Sequence, residues 1–139
     1  AEEARQIMLA DIAGGTETIL LVEDEEMLRN LADVVLASKG YSVLTARDGE
    51  EGVSLYAERR ETIHLVICDL GLPKLDGEEV VRRIRGLNSS ARVVIASGFI
   101  DPTVKAQLHD IGVAQFIQKP YRPDAMLMTV REVLDARKA

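Results

Sequence analysis

The chain contains one cysteine, Cys68, in 139 residues. A lone thiol excludes an internal disulfide and any multi-cysteine metal site, and fits a reducing cytoplasm. Long hydrophobic runs are also missing. The longest are strand-sized, such as Ile19-Leu20-Leu21-Val22, far short of the roughly 20 apolar residues of a membrane helix. The opening Ala1-Glu2-Glu3-Ala4-Arg5 has neither the basic start nor the apolar centre of a secretion signal. There is no basic excess: 23 acidic and 17 basic residues leave a net charge of -6. That balance argues against direct nucleic acid binding, which needs a basic face, and suits a cation site built from carboxylates. No internal repeat, low-complexity tract or second domain is visible. With 47% hydrophobic and 29% charged residues, the composition is that of one soluble globular domain, removing roughly 70% of its unfolded surface from water.

From Thr18 onward short apolar runs alternate with amphipathic stretches. The strands are read at Ile19 to Val22, Tyr41 to Ala46, Ile63 to Cys68, Val93 to Ala96 and Ala114 to Gln118. Between them, Leu28, Leu31, Ala32 and Val35 recur at helical spacing up to Gly40, a stop signal. Asp48 caps a helix carrying Val53, Tyr56 and Ala57, and Asp76 caps one carrying Val80, Val81, Ile84 and Leu87. Asp101-Pro102 opens a fourth helix with Val104, Leu108 and Ile111, closed by Gly112. Met126, Leu127, Val130, Val133 and Leu134 form the apolar side of the last. This pattern implies an α/β fold, a doubly wound parallel sheet with helices on both faces. The first, third and fourth strands are nearly all apolar and read as central; the second and fifth mix in Ser42, Thr45, Gln115 and Gln118 as edge strands do. That assignment fits the flavodoxin-like order 2-1-3-4-5 with five helices, whose site lies beyond the carboxyl ends of the strands. Residues 1–17 fall outside the scheme, as a linker or an added segment, and residues 18–139 form the domain. Ala4, Met8 and Ile12 share one face of a short helix ending at Gly14-Gly15.

The strand ends carry Glu23-Asp24-Glu25, Asp69, Ser97 and Lys119-Pro120, which places carboxylates, a hydroxyl and an ammonium around one crevice. Crowded carboxylates raise one another's pKa unless a cation neutralises them. Mg²⁺ suits such a set, because it takes hard oxygen ligands and leaves room for phosphate oxygens. A lysine and a hydroxyl beside it match the remaining oxygens of a phosphoryl group, and a facing carboxylate can act as nucleophile to form an aspartyl-phosphate.

The four motifs Ile19-Leu20-Leu21-Val22-Glu23-Asp24-Glu25, Cys68-Asp69-Leu70-Gly71-Leu72-Pro73-Lys74-Leu75-Asp76-Gly77, Ala96-Ser97-Gly98 and Phe116-Ile117-Gln118-Lys119-Pro120 resemble those of the receiver domain of bacterial response regulators, over Thr18 to Arg137. The resemblance implies Asp69 as phospho-acceptor, Glu23 and Asp24 as the acidic pair that binds Mg²⁺, and the main-chain carbonyl of Gly71 as a third protein ligand alongside Asp69. It implies that Ser97 hydrogen-bonds the phosphoryl group, that Lys119 pairs with a phosphoryl oxygen before a cis bond to Pro120, and that Phe116 turns inward with Ser97 on activation. The sequence departs from the family's pattern in having Glu rather than Asp at position 23, Phe rather than Tyr at 116, and Gly at 71, which leaves the space beside an acyl phosphate open.

Plainer readings exist for each residue. Asp69 can cap the loop before Pro73, Glu23-Asp24-Glu25 can be an acidic helix start favoured by the helix dipole, Ser97 before Gly98 can be a turn, Lys119 can be a surface lysine, and Phe116 can be simple core. Cys68 reads as inert core, and His64 and His109 as structural or surface residues. The functional expectation is a two-component phosphorelay receiver taking a phosphoryl group from a histidine kinase or histidine phosphotransfer protein onto Asp69, and switching the face of helix four, strand five and helix five. It would be cytoplasmic, a monomer or weak homodimer, and not an independent turnover enzyme. The Gly14-Gly15-Thr16-Glu17-Thr18 lead-in and Ser97-Gly98-Phe99 are similar to receivers of hybrid histidine kinases. One rival is a phosphatase of the haloacid-dehalogenase type, which needs a second Asp where Gly71 stands and its nucleophile after the first strand. Another is a receiver-like interaction module that works without phosphorylation.

Overall fold

The computed structural model describes residues 9–136. Five parallel strands form one sheet: β1 (Thr18–Val22), β2 (Ser42–Ala46), β3 (Ile63–Asp69), β4 (Val93–Ser97) and β5 (Val113–Gln118). They alternate with α1 (Glu26–Ser38), α2 (Gly49–Arg59), α3 (Gly77–Leu87), α4 (Pro102–Asp110) and α5 (Pro123–Asp135). The order is β2-β1-β3-β4-β5, the doubly wound arrangement expected. The chain winds outward from β1 in one direction and then returns past it, so a crevice opens at the carboxyl ends of β1 and β3.

Strand periodicity divides the core in two. Ile19, Leu21, Leu65, Ile67, Val94, Ala96 and Ile117 face α1 and α5 and pack on Ala32, Leu36, Met126, Leu127, Val130, Val133 and Leu134. Leu20, Val22, Val66, Cys68 and Ile95 point the other way, onto Tyr56, Val80, Val81, Ile84 and Leu108. The N-caps are as expected: Asp48 accepts from Glu51 N, Asp76 from Glu79 N, and Asp101 from Thr103 N ahead of Pro102. Gly40 ends α1 in the left-handed region at φ 98°.

Several details differ from the sequence reading. β3 and β4 each run one residue further, to Asp69 and Ser97, β2 begins at Ser42, and β5 begins at Val113. On α1 the buried pair is Ala32 and Leu36, and Leu31 is 44% exposed, because the small Ala32 lets the helix seat one residue further round. α2 packs through Gly49, Gly52 and Tyr56, with Gly52 against Val22, and Ala57 is turned to solvent. Leu87, at the end of α3, stays 37% exposed. Of the helix expected before Gly14, Ala4 and Met8 lie outside the described residues; Leu9–Asp11 form one 3-10 turn.

Packing extends upstream of Thr18. Ile12 is buried in the α1–α5 side of the core, and Gly15 N donates to Lys39 O at 3.1 Å. Arg131 of α5 clasps this segment: it donates to Glu17 Oε2 at 2.7 Å and Oε1 at 3.2 Å, to Gly14 O at 3.0 Å, and to Asp135 Oδ1 at 2.8 Å. The guanidinium holds the Glu17 carboxyl at about 2, down from an ordinary 4.5. A depressed carboxyl pKa contributes stability above its unfolded value and loses it as pH falls through the folded one. The two side chains are only 20% and 25% exposed, and after discounting for that residual screening Glu17→Gln is expected to cost about 1–2 kcal/mol at neutral pH. The deficit should vanish as pH drops from about 4.5 toward 2, read by urea unfolding of both proteins across that range.

Candidate functional site

Strand parity explains which acidic side chain goes where. Glu23 continues β1 for one residue, its N–H donating to Ala46 O at 3.0 Å, and so shares the parity of Ile19 and Leu21. It therefore enters the α5 side of the core and is 0% exposed. Asp24, of opposite parity, is exposed. Asp69 shares the parity of Leu65 and Ile67, ends β3, and is 7% exposed. One carboxylate oxygen from each of Glu23, Asp24 and Asp69 lies within 4.8 Å of the others. Arg29 of α1 secures the turn, donating to Glu23 O at 2.9 Å.

Lys119 follows β5, where its N–H donates to Ser97 O at 2.9 Å, ahead of a cis bond to Pro120. Its Nζ sits 2.9 Å from Glu23 Oε1 and 3.3 Å from Asp69 Oδ2. One ammonium thus serves two carboxylates that are almost out of water. Burial pushes the Asp69 carboxyl up, the charge of Glu23 adds to the rise, and Lys119 opposes it. Burial works to lower the Lys119 ammonium, but the hydrogen bond to Glu23 and the charges of Asp69 and Glu23 outweigh it, and its pKa is raised. Three carboxylates against one ammonium leave an excess of negative charge that a divalent cation would balance, and hard carboxylate oxygens are what Mg²⁺ takes.

The side chains of two of the expected residues make no hydrogen bond to this group. Ser97 stands at the strand end, but its hydroxyl donates to Phe99 O at 2.9 Å. Phe116 is half-buried on the α4 side, with Lys105 Nζ 5.2 Å over its ring, beside a cavity of about 340 Å³ shared with Ser97, Phe99 and Ile100. Gly71 N lies 3.4 Å from Asp69 Oδ1, and a Cβ on Gly71 would meet nothing within 4 Å. The Cys68 thiol is fully buried and pushed up by that burial and by the charges of Asp69 and Glu23, so it is the inert core residue expected. His64 Nδ1 accepts from Thr18 N at 3.0 Å, and His109 Nδ1 lies 2.9 Å from Val113 O; both are structural.

Tyr121 is the participant that sequence reasoning missed. It is 4% exposed, and its hydroxyl donates to Glu23 Oε1 at 2.9 Å. Burial and the charge of Glu23 push the phenol up, so it remains a donor. Its only local signal is a tyrosine directly after Lys119-Pro120; its partner is 98 residues away.

Residues 19–131 match the response regulator receiver domain family. Among curated proteins, a probable transcriptional regulator, ycf27, of Porphyridium aerugineum is 33% identical over 118 residues, covering 85% of this chain and 48% of that protein. The sensor kinase CckA of Brucella abortus is 27% identical over 135 residues, 97% of this chain and 14% of its own length. The chain thus spans half or less of these relatives. Among solved structures, the receiver domain of the hybrid histidine kinase CckA is 34% identical with a TM-score of 0.72, covering 85% of this chain and 99% of that one. CheY in a CheX-CheY-BeF3-Mg complex from Borrelia burgdorferi is 27% identical with a TM-score of 0.83, covering 86% and 90%. With the fold, the strand-end acidic cluster and the match over residues 19–131 in agreement, the chain belongs to the response regulator receiver domain family.

Proposed function

We propose that the chain takes a phosphoryl group from a phosphohistidine, on a histidine kinase or a histidine phosphotransfer protein, onto Asp69. The observation that carries this is the setting of Asp69: nearly buried at the end of β3, 3.3 Å from the Lys119 ammonium, and within 4.8 Å of oxygens on Glu23 and Asp24. Receiver domains generally bind Mg²⁺ at an acidic pocket; here Glu23, Asp24, Asp69 and the Gly71 main-chain carbonyl would hold it. When bound, the ion offsets the negative charge of the phosphoryl oxygens. An Asp69 carboxylate oxygen attacks phosphorus as the bond from phosphorus to the histidine nitrogen breaks and the imidazole leaves with the electron pair. Lys119 exchanges its contact with Asp69 Oδ2 for one with a phosphoryl oxygen. Ser97 must rotate off Phe99 O to donate to the same group.

That rotation would bias a two-state element, with Phe116 following Ser97 and altering the α4–β5–α5 face for a downstream protein. The chain is not an independent turnover enzyme in this reading, because the group it transfers ends on its own side chain. Its similarity to the CckA receiver supports an origin in a cytoplasmic hybrid histidine kinase. Among the described residues no helix is long and apolar enough to cross a membrane.

The test is intact mass after incubation with acetyl phosphate. One added phosphate is expected on the parent chain with Mg²⁺, and none without Mg²⁺ or on Asp69→Asn. A parent that gains no phosphate and does not bind beryllofluoride would instead be an interaction module that works without phosphorylation.

A further inference from the structure

Glu23 is held by more donors than a simple metal ligand needs. Its Oε1 accepts from Lys119 Nζ and from Tyr121 Oη, both at 2.9 Å. Its Oε2 accepts from Glu25 N at 3.1 Å. A carboxylate offers about four acceptor positions, so three protein donors leave one for a cation. Asp24 and Asp69 are not restrained in this way: Asp24 is exposed, and Asp69 has Lys119 on one oxygen and a long contact from Gly71 N on the other.

Tyr121 is well placed to keep Glu23 where it is. Its ring lies in the α1–α5 side of the core among buried residues, and Lys119 Nζ is 5.9 Å from the ring centre. Only the hydroxyl reaches into the crevice. The extra methylene of Glu over Asp is what lets this carboxylate extend from the end of β1 back to the hydroxyl. The hydroxyl therefore occupies an acceptor position on Oε1 that a cation shared with Asp24 and Asp69, whose oxygens lie within 4.8 Å, would otherwise use.

We propose that Tyr121 is a positioning residue that restrains Glu23 through the hydrogen bond from its hydroxyl to Oε1, and that this restraint weakens Mg²⁺ binding in the crevice. The receiver rests with Glu23 turned toward Tyr121 and Lys119, and divalent cation binding competes with that arrangement. The inference rests on the metal site of the proposed function, and concerns how tightly that site takes its ion.

Mg²⁺ alone is the probe, titrated calorimetrically into the metal-free protein with no phosphodonor present and checked by the rise in melting temperature with Mg²⁺. Tyr121→Phe keeps the packed ring and removes only the hydroxyl. It is expected to bind Mg²⁺ about three- to tenfold more tightly than the parent, the range of one typical intramolecular hydrogen bond, although the variant melts lower without metal. A purely structural hydroxyl would lower the melting temperature and leave the Mg²⁺ affinity unchanged. In Glu23→Asp the shorter carboxylate cannot reach the hydroxyl, so adding Tyr121→Phe to it should change the affinity by less than about twofold, isolating the coupling. Unchanged or weaker Mg²⁺ binding in Tyr121→Phe overturns the proposal, as does a gain that persists in the Glu23→Asp background. A parent chain that takes no Mg²⁺ at all overturns both this inference and the metal-dependent function it rests on.

Discussion

Replacing Lys119 by Met is expected to lower the unfolding free energy of the metal-free protein by about 3 kcal/mol. The substitution keeps the aliphatic stem and removes the only ammonium that, among the described residues, pairs with Glu23 and Asp69, which are 0% and 7% exposed in the parent. Breaking a buried pair costs more than the pair itself contributes, because the stranded charge keeps its desolvation penalty. Lys119 is 15% exposed, and Glu23 keeps donors from Tyr121 and Glu25, so the lower end of the usual range applies. Mg²⁺ should recover part of the loss, since a cation in the crevice replaces the missing charge. Urea unfolding with and without Mg²⁺ checks both statements; a variant as stable as the parent in metal-free buffer would sink the charge argument.

Asp69→Asn, in contrast, should stabilise. The folded pKa of Asp69 lies above its unfolded value through burial and the nearby Glu23, so its favourable contribution is full at low pH and is lost as pH rises through the folded pKa. At neutral pH the carboxylate is held against its preference. The neutral isostere should gain about 1 kcal/mol, as when other charges kept for function are removed, and the gain should shrink on acidification.

Gly77→Ala is the second large effect, an expected loss of about 2–3 kcal/mol by overpacking. A Cβ there would lie 2.7 Å from Asp69 O and 2.7 Å from Leu70 Cα, both backbone, so nothing flexible can give way. Gly77 opens α3 and its N–H donates to Leu70 O at 2.9 Å, so the strain also moves the strand end that carries Asp69. Slower phosphate uptake should accompany the lower unfolding midpoint. Gly86 supplies the control. It lies inside α3 with nothing within 4 Å of an added Cβ, and Gly86→Ala should be stabilising by about 0.5–1 kcal/mol.

Short-range physics made much of this protein readable from sequence alone. Short apolar runs, nearly continuous in β1, β3 and β4, marked the strands, the caps Asp48, Asp76 and Asp101 marked helix starts, and the polar residues of β2 and β5 marked the sheet edges, because each of these signals is carried by neighbours in the chain. The strand ends then named Glu23, Asp24, Asp69 and Lys119 as one group, since in a parallel sheet all carboxyl ends point the same way. Helix faces were less legible. Which of Leu31 or Leu36 turns inward depends on how closely α1 approaches the sheet over Ala32, a tertiary quantity. The clasp of Arg131 on Glu17 and the donation from Tyr121 to Glu23 join residues 114 and 98 positions apart. No local pattern encodes either, because both follow from the doubly wound topology, which packs α5 beside α1 and carries the loop after β5 back across the sheet to the end of β1. Sequence by itself determined the fold and the chemistry available at the crevice; only the tertiary structure decided that Glu23 is buried, shared between an ammonium and a phenol, while Ser97 and Phe116 stand apart from it.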